Sequence, residues 1–184
     1  MPRTAEETRA VLQAWRLVMD ALWPDLHPGM AARAQHWLTA TATQLESELR
    51  QYLNETDQRS RVRVFWKLGE TFVFAGCNAH FAADAGLKVQ EIVGTDDFDK
   101  RLPWMAQAAK YRADDEEVYK SGHPKLDILE RQKSTTGITW VLAGKTPIRT
   151  AGGAIIGILG MYEVLEGEAA RQMLAQRARR APPS

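Results

Sequence analysis

Residues 125–163 hold three segments rich in β-branched and aromatic side chains, divided by two glycine-bearing breaks. Thr136-Gly137 separates 125–132 from 138–147, and Ala151-Gly152-Gly153 separates the latter from 154–163. Breaks this short join antiparallel neighbours, because a parallel connection needs a crossover of about a dozen residues or more. The segment therefore commits the chain to an antiparallel sheet. Upstream, Val62-Arg63-Val64-Phe65-Trp66-Lys67 and Thr71-Phe72-Val73-Phe74-Ala75 flank Leu68-Gly69-Glu70 and read as a hairpin. Between hairpin and meander, Asn78 to Ala85 reads as a short helix capped by Asn78. Residues 103–121 read as a long helix, opened by Pro103 in its first turn and closed before Gly122. Strand, strand, short helices, long helix and three strands make an α+β pattern: a five-stranded antiparallel sheet covered by helices.

The first sixty residues differ, with Gly29 as their only glycine. Two helices are expected, over 5–23 and 29–57, broken by Pro24 and by His27-Pro28-Gly29. Val11, Trp15, Val18 and Leu22 line one face of the first. Leu38, Ala42, Leu45, Leu49, Tyr52 and Thr56 form a heptad-like seam on the second. Trp15, Trp23 and Trp37 need a large burial surface, so this two-helix extension is expected to dimerise through Leu38, Leu45, Leu49 and Tyr52. The chain thus divides into an extension over 1–60, a sensor-like block over 61–164, and a C-terminal helix and tail over 165–184, stopped by Ala181-Pro182-Pro183-Ser184.

The middle block resembles the PAS sensor family. Phe74-Ala75-Gly76-Cys77-Asn78-Ala79-His80-Phe81 is similar to that family's exit from the second strand. Gly94-Thr95-Asp96-Asp97-Phe98 resembles its Gly-x-x-Asp loop, and Tyr111 to Val118, ending at Ser121-Gly122-His123-Pro124, its long connector helix. Thr146-Pro147-Ile148-Arg149 and Ile155-Ile156-Gly157-Ile158-Leu159-Gly160 resemble its last hairpin, where Gly157 and Gly160 permit close backbone approach. One departure stands out. The Asp-Ile-Thr exit of many PAS modules is replaced by Tyr162-Glu163-Val164-Leu165-Glu166, which argues against relay to a C-terminal kinase or cyclase.

The resemblance implies a signal-sensing and dimerisation module of bacterial type. Its cavity would lie between the sheet and the long helix, lined by Phe81, Trp104, Tyr111, Ile128, Trp140 and Leu142, with the Tyr111 hydroxyl orienting a flat ligand. A homodimer is expected, with a small-molecule ligand and a sensor kinase or regulator as partners, in a two-component setting. The alternative is a ligand-free PAS scaffold that binds a kinase or transcription regulator.

Charge and motif content narrow the chemistry. Across 184 residues, 24 basic groups face 23 acidic ones, and no basic face able to neutralise several phosphates is implied. Nucleic acid is therefore not an expected partner. No apolar stretch suits a bilayer span and no secretory leader is visible, so a cytoplasmic protein without membrane partners is expected. The single cysteine, Cys77, excludes an internal disulfide and reads as a small buried residue. His27, His36, His80 and His123 lack metal-ligand spacing, so no metal is expected. The long helix carries no histidine for haem, and Cys77 precedes Asn78 rather than following it, unlike the reactive cysteine of flavin-binding members. No cofactor is expected. Lys110 and Asp114 are spaced as a surface ion pair, and Asp114 and Asp115 diverge by about 100° on a helix. A catalytic acid pair is not implied, and the chain is read as a non-enzyme.

Overall fold

The computed structural model describes residues 3–181, so the stop expected at Pro182 and Pro183 lies outside the described residues. β1 (Val62–Leu68), β2 (Val73–Cys77), β3 (Lys125–Ser134), β4 (Gly137–Arg149) and β5 (Ile155–Leu165) form one sheet in the order β2-β1-β5-β4-β3. Every neighbouring pair is antiparallel. The β3–β4 turn falls at Gly137, whose φ of +124° few other residues adopt. β2 is one edge of the sheet. Its Phe74 N–H donates to the Thr95 carbonyl at 2.8 Å, and its carbonyl accepts from Gly94 at 2.9 Å.

Helices α4 (Ala79–Ala85), α5 (Val89–Ile92) and α6 (Ala108–Ser121) cover the inner face. Asn78 caps α4 by accepting from the Phe81 N–H, and the same side chain accepts from Val64 N and donates to Val62 O. One residue thus starts the helix and fastens it to β1. Gly122 ends α6 in the left-handed conformation at φ +71°. The helix begins later than its sequence suggests. Pro103 sits in a turn, and a 3-10 helix over Met105–Gln107 precedes α6.

The opposite face is covered by α1 (Ala5–Leu22), α2 (Met30–Arg33), a 3-10 helix (Ala34–Leu38) and α3 (Ala42–Arg59). A continuous helix over 29–57 is not what forms. Thr41 takes an extended conformation and makes a capping box with Gln44, which starts α3 afresh. Leu38 is thereby cut from the seam and is 67% exposed. Leu45, Leu49 and Tyr52 are buried inside the chain, in one cluster with Trp15, Trp37, Val64, Trp66, Leu159 and Met161. The expectation that these three mediate dimerisation is therefore corrected. The burial that the tryptophans demand is met by the outer face of the sheet, not by a second copy. The boundary near residue 60 separates elements but not cores. α7 (Gly167–Arg180) follows β5 and buries only Ala170 fully.

Candidate functional site

Side chains alternate across a strand, and on the inner face they bring together Phe65 and Lys67 from β1, Phe74 from β2, Gln132 from β3, Lys145 from β4 and Tyr162 from β5. With Phe81 of α4, Trp104 of the turn before the 3-10 helix and Tyr111 of α6, they line a small cavity of about 40 Å³. Gly160 makes this room. A Cβ there would lie 2.3 Å from the Phe65 ring, so only glycine lets that ring cross β5. Phe65, Phe74, Phe81 and Trp104 stack in a chain, with centroids 5.9, 4.9, 5.6 and 5.3 Å apart for the pairs Phe65–Phe74, Phe65–Phe81, Phe74–Phe81 and Phe81–Trp104.

Among these rings lie four buried charges. Lys67 Nζ donates to Asp97 Oδ2 and to Asp115 Oδ2, both at 2.5 Å. Lys145 Nζ donates to Asp115 Oδ1 at 2.7 Å, and Trp104 Nε1 donates to Asp97 Oδ1 at 3.1 Å. Asp115 is fully buried. Burial alone would lower the Lys67 pKa, but Asp115 and Asp97 outweigh it and hold the ammonium above its ordinary range. Burial likewise opposes ionisation of Asp115, and Lys67 and Lys145 override it to keep the carboxyl below its usual value. Two ammonium groups and two carboxylates cancel formally. The set can present hydrogen-bond donors to a guest without presenting net charge. Lys145 spends one of three donors on Asp115, which leaves two.

Of the residues expected around the cavity, Phe81, Trp104 and Tyr111 line it. The Tyr111 hydroxyl donates to Gln107 Oε1 at 2.9 Å, so its ring rather than its O–H faces inward. Trp140 and Leu142 are corrected. They alternate with Val141 and Ala143, which belong to the inner cluster, and so face the other side of the sheet. Ile128 is partly buried beside the inner cluster, off the cavity wall. The helix carboxylates are also reassigned. Lys110 pairs with Glu130 at 3.0 Å, Asp114 pairs with Lys125 at 3.0 Å, and Asp115 turns inward. Lys67, Asp97, Asp115, Lys145, Gln132 and Tyr162 escaped the sequence reading. The available signal was Lys67, a charge placed on the same strand face as Phe65 between two apolar neighbours. Cys77 is buried, and burial pushes its thiol up to about 12. His80 binds the Asp57 carbonyl at 2.7 Å, away from the cavity.

A five-stranded antiparallel sheet with this strand order, one cavity-bearing face and a long connector helix defines a PAS-like fold, and solved structures agree. The PAS domain of a protein from Colwellia psychrerythraea matches with a TM-score of 0.50 at 14% identity, over 64% of this chain and 96% of that one. VqmA bound to DPO matches with a TM-score of 0.55 at 24% identity, over 64% of this chain and 57% of that one. The Vibrio cholerae VqmA–ligand–DNA complex matches with a TM-score of 0.57 at 23% identity, over 74% of this chain and 59% of that one. The chain thus spans less than two thirds of these VqmA chains. No family sequence model and no curated protein sequence matches it.

These neighbours overturn the expectation that nucleic acid plays no part. VqmA, of similar fold, is a receptor solved in complex with DNA. Overall charge balance was the wrong criterion, because a protein of this fold has been solved with DNA. Among the described residues no helix is long and apolar enough to cross a membrane.

Proposed function

We propose that the chain is a non-enzymatic, cytoplasmic sensing module of bacterial signal transduction that binds a small, neutral, flat molecule in the inner-face cavity. The observation that carries this reading is the cavity itself. Rings from β1, β2, α4 and α6 enclose space beside a charge-balanced Lys67–Asp97–Asp115–Lys145 set. A buried polar network next to unfilled apolar space suits a ligand that is gripped by stacking and oriented by a few hydrogen bonds. A cavity favours ligand sensing over a ligand-free scaffold, which would gain stability by filling it. VqmA supplies a precedent within the fold, having been solved with DPO and as a dimer. Its DNA complex favours nucleic acid over a kinase as the eventual readout. Assembly as a homodimer would use surfaces other than Leu45, Leu49 and Tyr52.

Native mass spectrometry of the purified protein, followed by calorimetric titration with DPO and a panel of small aromatic heterocycles, tests the reading. One bound molecule per chain is expected. A protein that retains nothing as purified and binds neither DPO nor any panel member overturns it.

A further inference from the structure

Away from the lysines, the cavity wall carries an amide whose orientation the surrounding chemistry fixes. Gln132 is 9% exposed and lines the cavity. Its Nε2 lies 3.2 Å from the Tyr162 hydroxyl, which lies 2.7 Å from Asp84 Oδ2. Asp84 in turn accepts from Arg63 Nε at 2.8 Å and Nη2 at 3.0 Å. An ionised carboxylate only accepts, so the Tyr162 proton must point at Asp84. The lone pairs of the phenol oxygen then face Gln132, and the amide must turn its NH₂ toward them. Burial, reinforced by Asp84, holds the Tyr162 pKa well above its ordinary value, so the phenol keeps its proton. The carbonyl Oε1 is what remains, and no described residue donates to it. The neighbouring Glu130 carboxylate is already engaged by Lys110.

We infer that Gln132 is a specificity-determining residue, selecting ligands that offer an N–H or O–H to its Oε1, and that Tyr162, Asp84 and Arg63 are positioning residues holding it so. The inference rests on the cavity being a ligand site. An acceptor on the cavity wall with no protein donor favours a guest that supplies one. Lys145 has donors to spare, so an acceptor elsewhere on the ligand would add to binding without replacing the donor that Gln132 requires.

2-Pyridone and N-methyl-2-pyridone, which lacks the N–H, are the probes. Wild-type protein should prefer 2-pyridone by roughly tenfold, the worth of one hydrogen bond. Tyr162→Phe frees the amide to rotate, and Gln132→Met removes the acceptor while keeping the bulk. Either should bring the ratio toward one. If Tyr162→Phe does not fold, Gln132→Met decides. Discrimination that survives in the folded variants is steric and overturns the inference, as does equal binding of both probes by the wild type. Wild-type protein that binds neither pyridone but does bind DPO or a copurified molecule overturns the inference and leaves the cavity reading standing. Binding of nothing overturns both. A readout independent of ligand is the Gln132 side-chain amide resonance, assigned by its loss in Gln132→Met. It should exchange slowly with solvent in the wild type and rapidly in Tyr162→Phe. Rapid exchange in the wild type overturns the inference.

Discussion

The two faces of the sheet are built from the same five strands yet solve opposite problems. The outer face is filled by Trp15, Trp37, Trp66, Leu45, Leu49, Leu159 and Met161, with three indole N–H groups that have no hydrogen-bond partner among the described residues. The inner face holds aromatic rings, a glycine where no side chain would fit, and a buried quartet of charges. Apolar area carries the first face, even with polar atoms left unpaired. The second leaves space unfilled and pairs its buried charges with one another.

The hardest way to break this contrast is to unbalance the quartet. Asp115→Asn leaves Lys67 and Lys145 buried against one remaining carboxylate, and should cost about 3–5 kcal/mol in urea unfolding. The matching lesion outside is Leu49→Ala, expected to cost about 2–5 kcal/mol by the same measurement because it opens a void in a filled core. Ligand affinity should stay near wild type there, which separates the faces. A loss of affinity in Leu49→Ala equal to that in Asp115→Asn would abolish the distinction.

Gly160→Ala sharpens the comparison from the inside. The new methyl meets the Phe65 ring and pushes it into the cavity, for a cost of about 1–3 kcal/mol and a visible fall in ligand affinity. The smallest effect is expected at His27, under the outer layer. Thr56 donates its hydroxyl proton to the Tyr52 carbonyl at 2.8 Å, so it accepts from His27 Nε2 at 2.9 Å, and Nδ1 lies 3.2 Å from Glu55 Oε2. Burial lowers the His27 pKa from 6.5, with Glu55 opposing only in part. The folded state therefore prefers the neutral ring. Its contribution is complete above the unfolded value and is lost as pH falls below it toward the folded pKa. Thermal melts from neutral pH to mildly acidic pH should show a decline that His27→Gln flattens, and parallel curves would refute the assignment.

Much of the architecture was legible because its signals are local. The Gly137 turn, the Asn78 cap and the Gly122 stop each act on the few residues beside them, and the β1–β2, β3–β4 and β4–β5 pairings follow from short connections, whereas the β1–β5 pairing does not. Strand phase was not legible. In Thr139-Trp140-Val141-Leu142-Ala143 every second residue of either phase is apolar enough to face a core, so Trp140 and Leu142 carried no mark of which side they take. The quartet was hidden for a different reason. Asp114 and Asp115 are chemically alike, and only the arrival of Lys67 and Lys145 from distant strands decides which of them goes inside. Likewise, nothing near Leu45 or Leu49 says whether a sheet or another helix will cover them.

The bonding of Phe74 to Gly94 and Thr95 has a consequence for assembly. An open sheet has two rims, and growth of a fibre needs both to be free on every copy. Here one rim is already occupied by the chain's own backbone, while the other, β3, carries Lys125, Arg131 and Lys133 and an irregular register near Asp127. Two copies could share a sheet at most once, rim to rim. Endless stacking has no second rim to continue from.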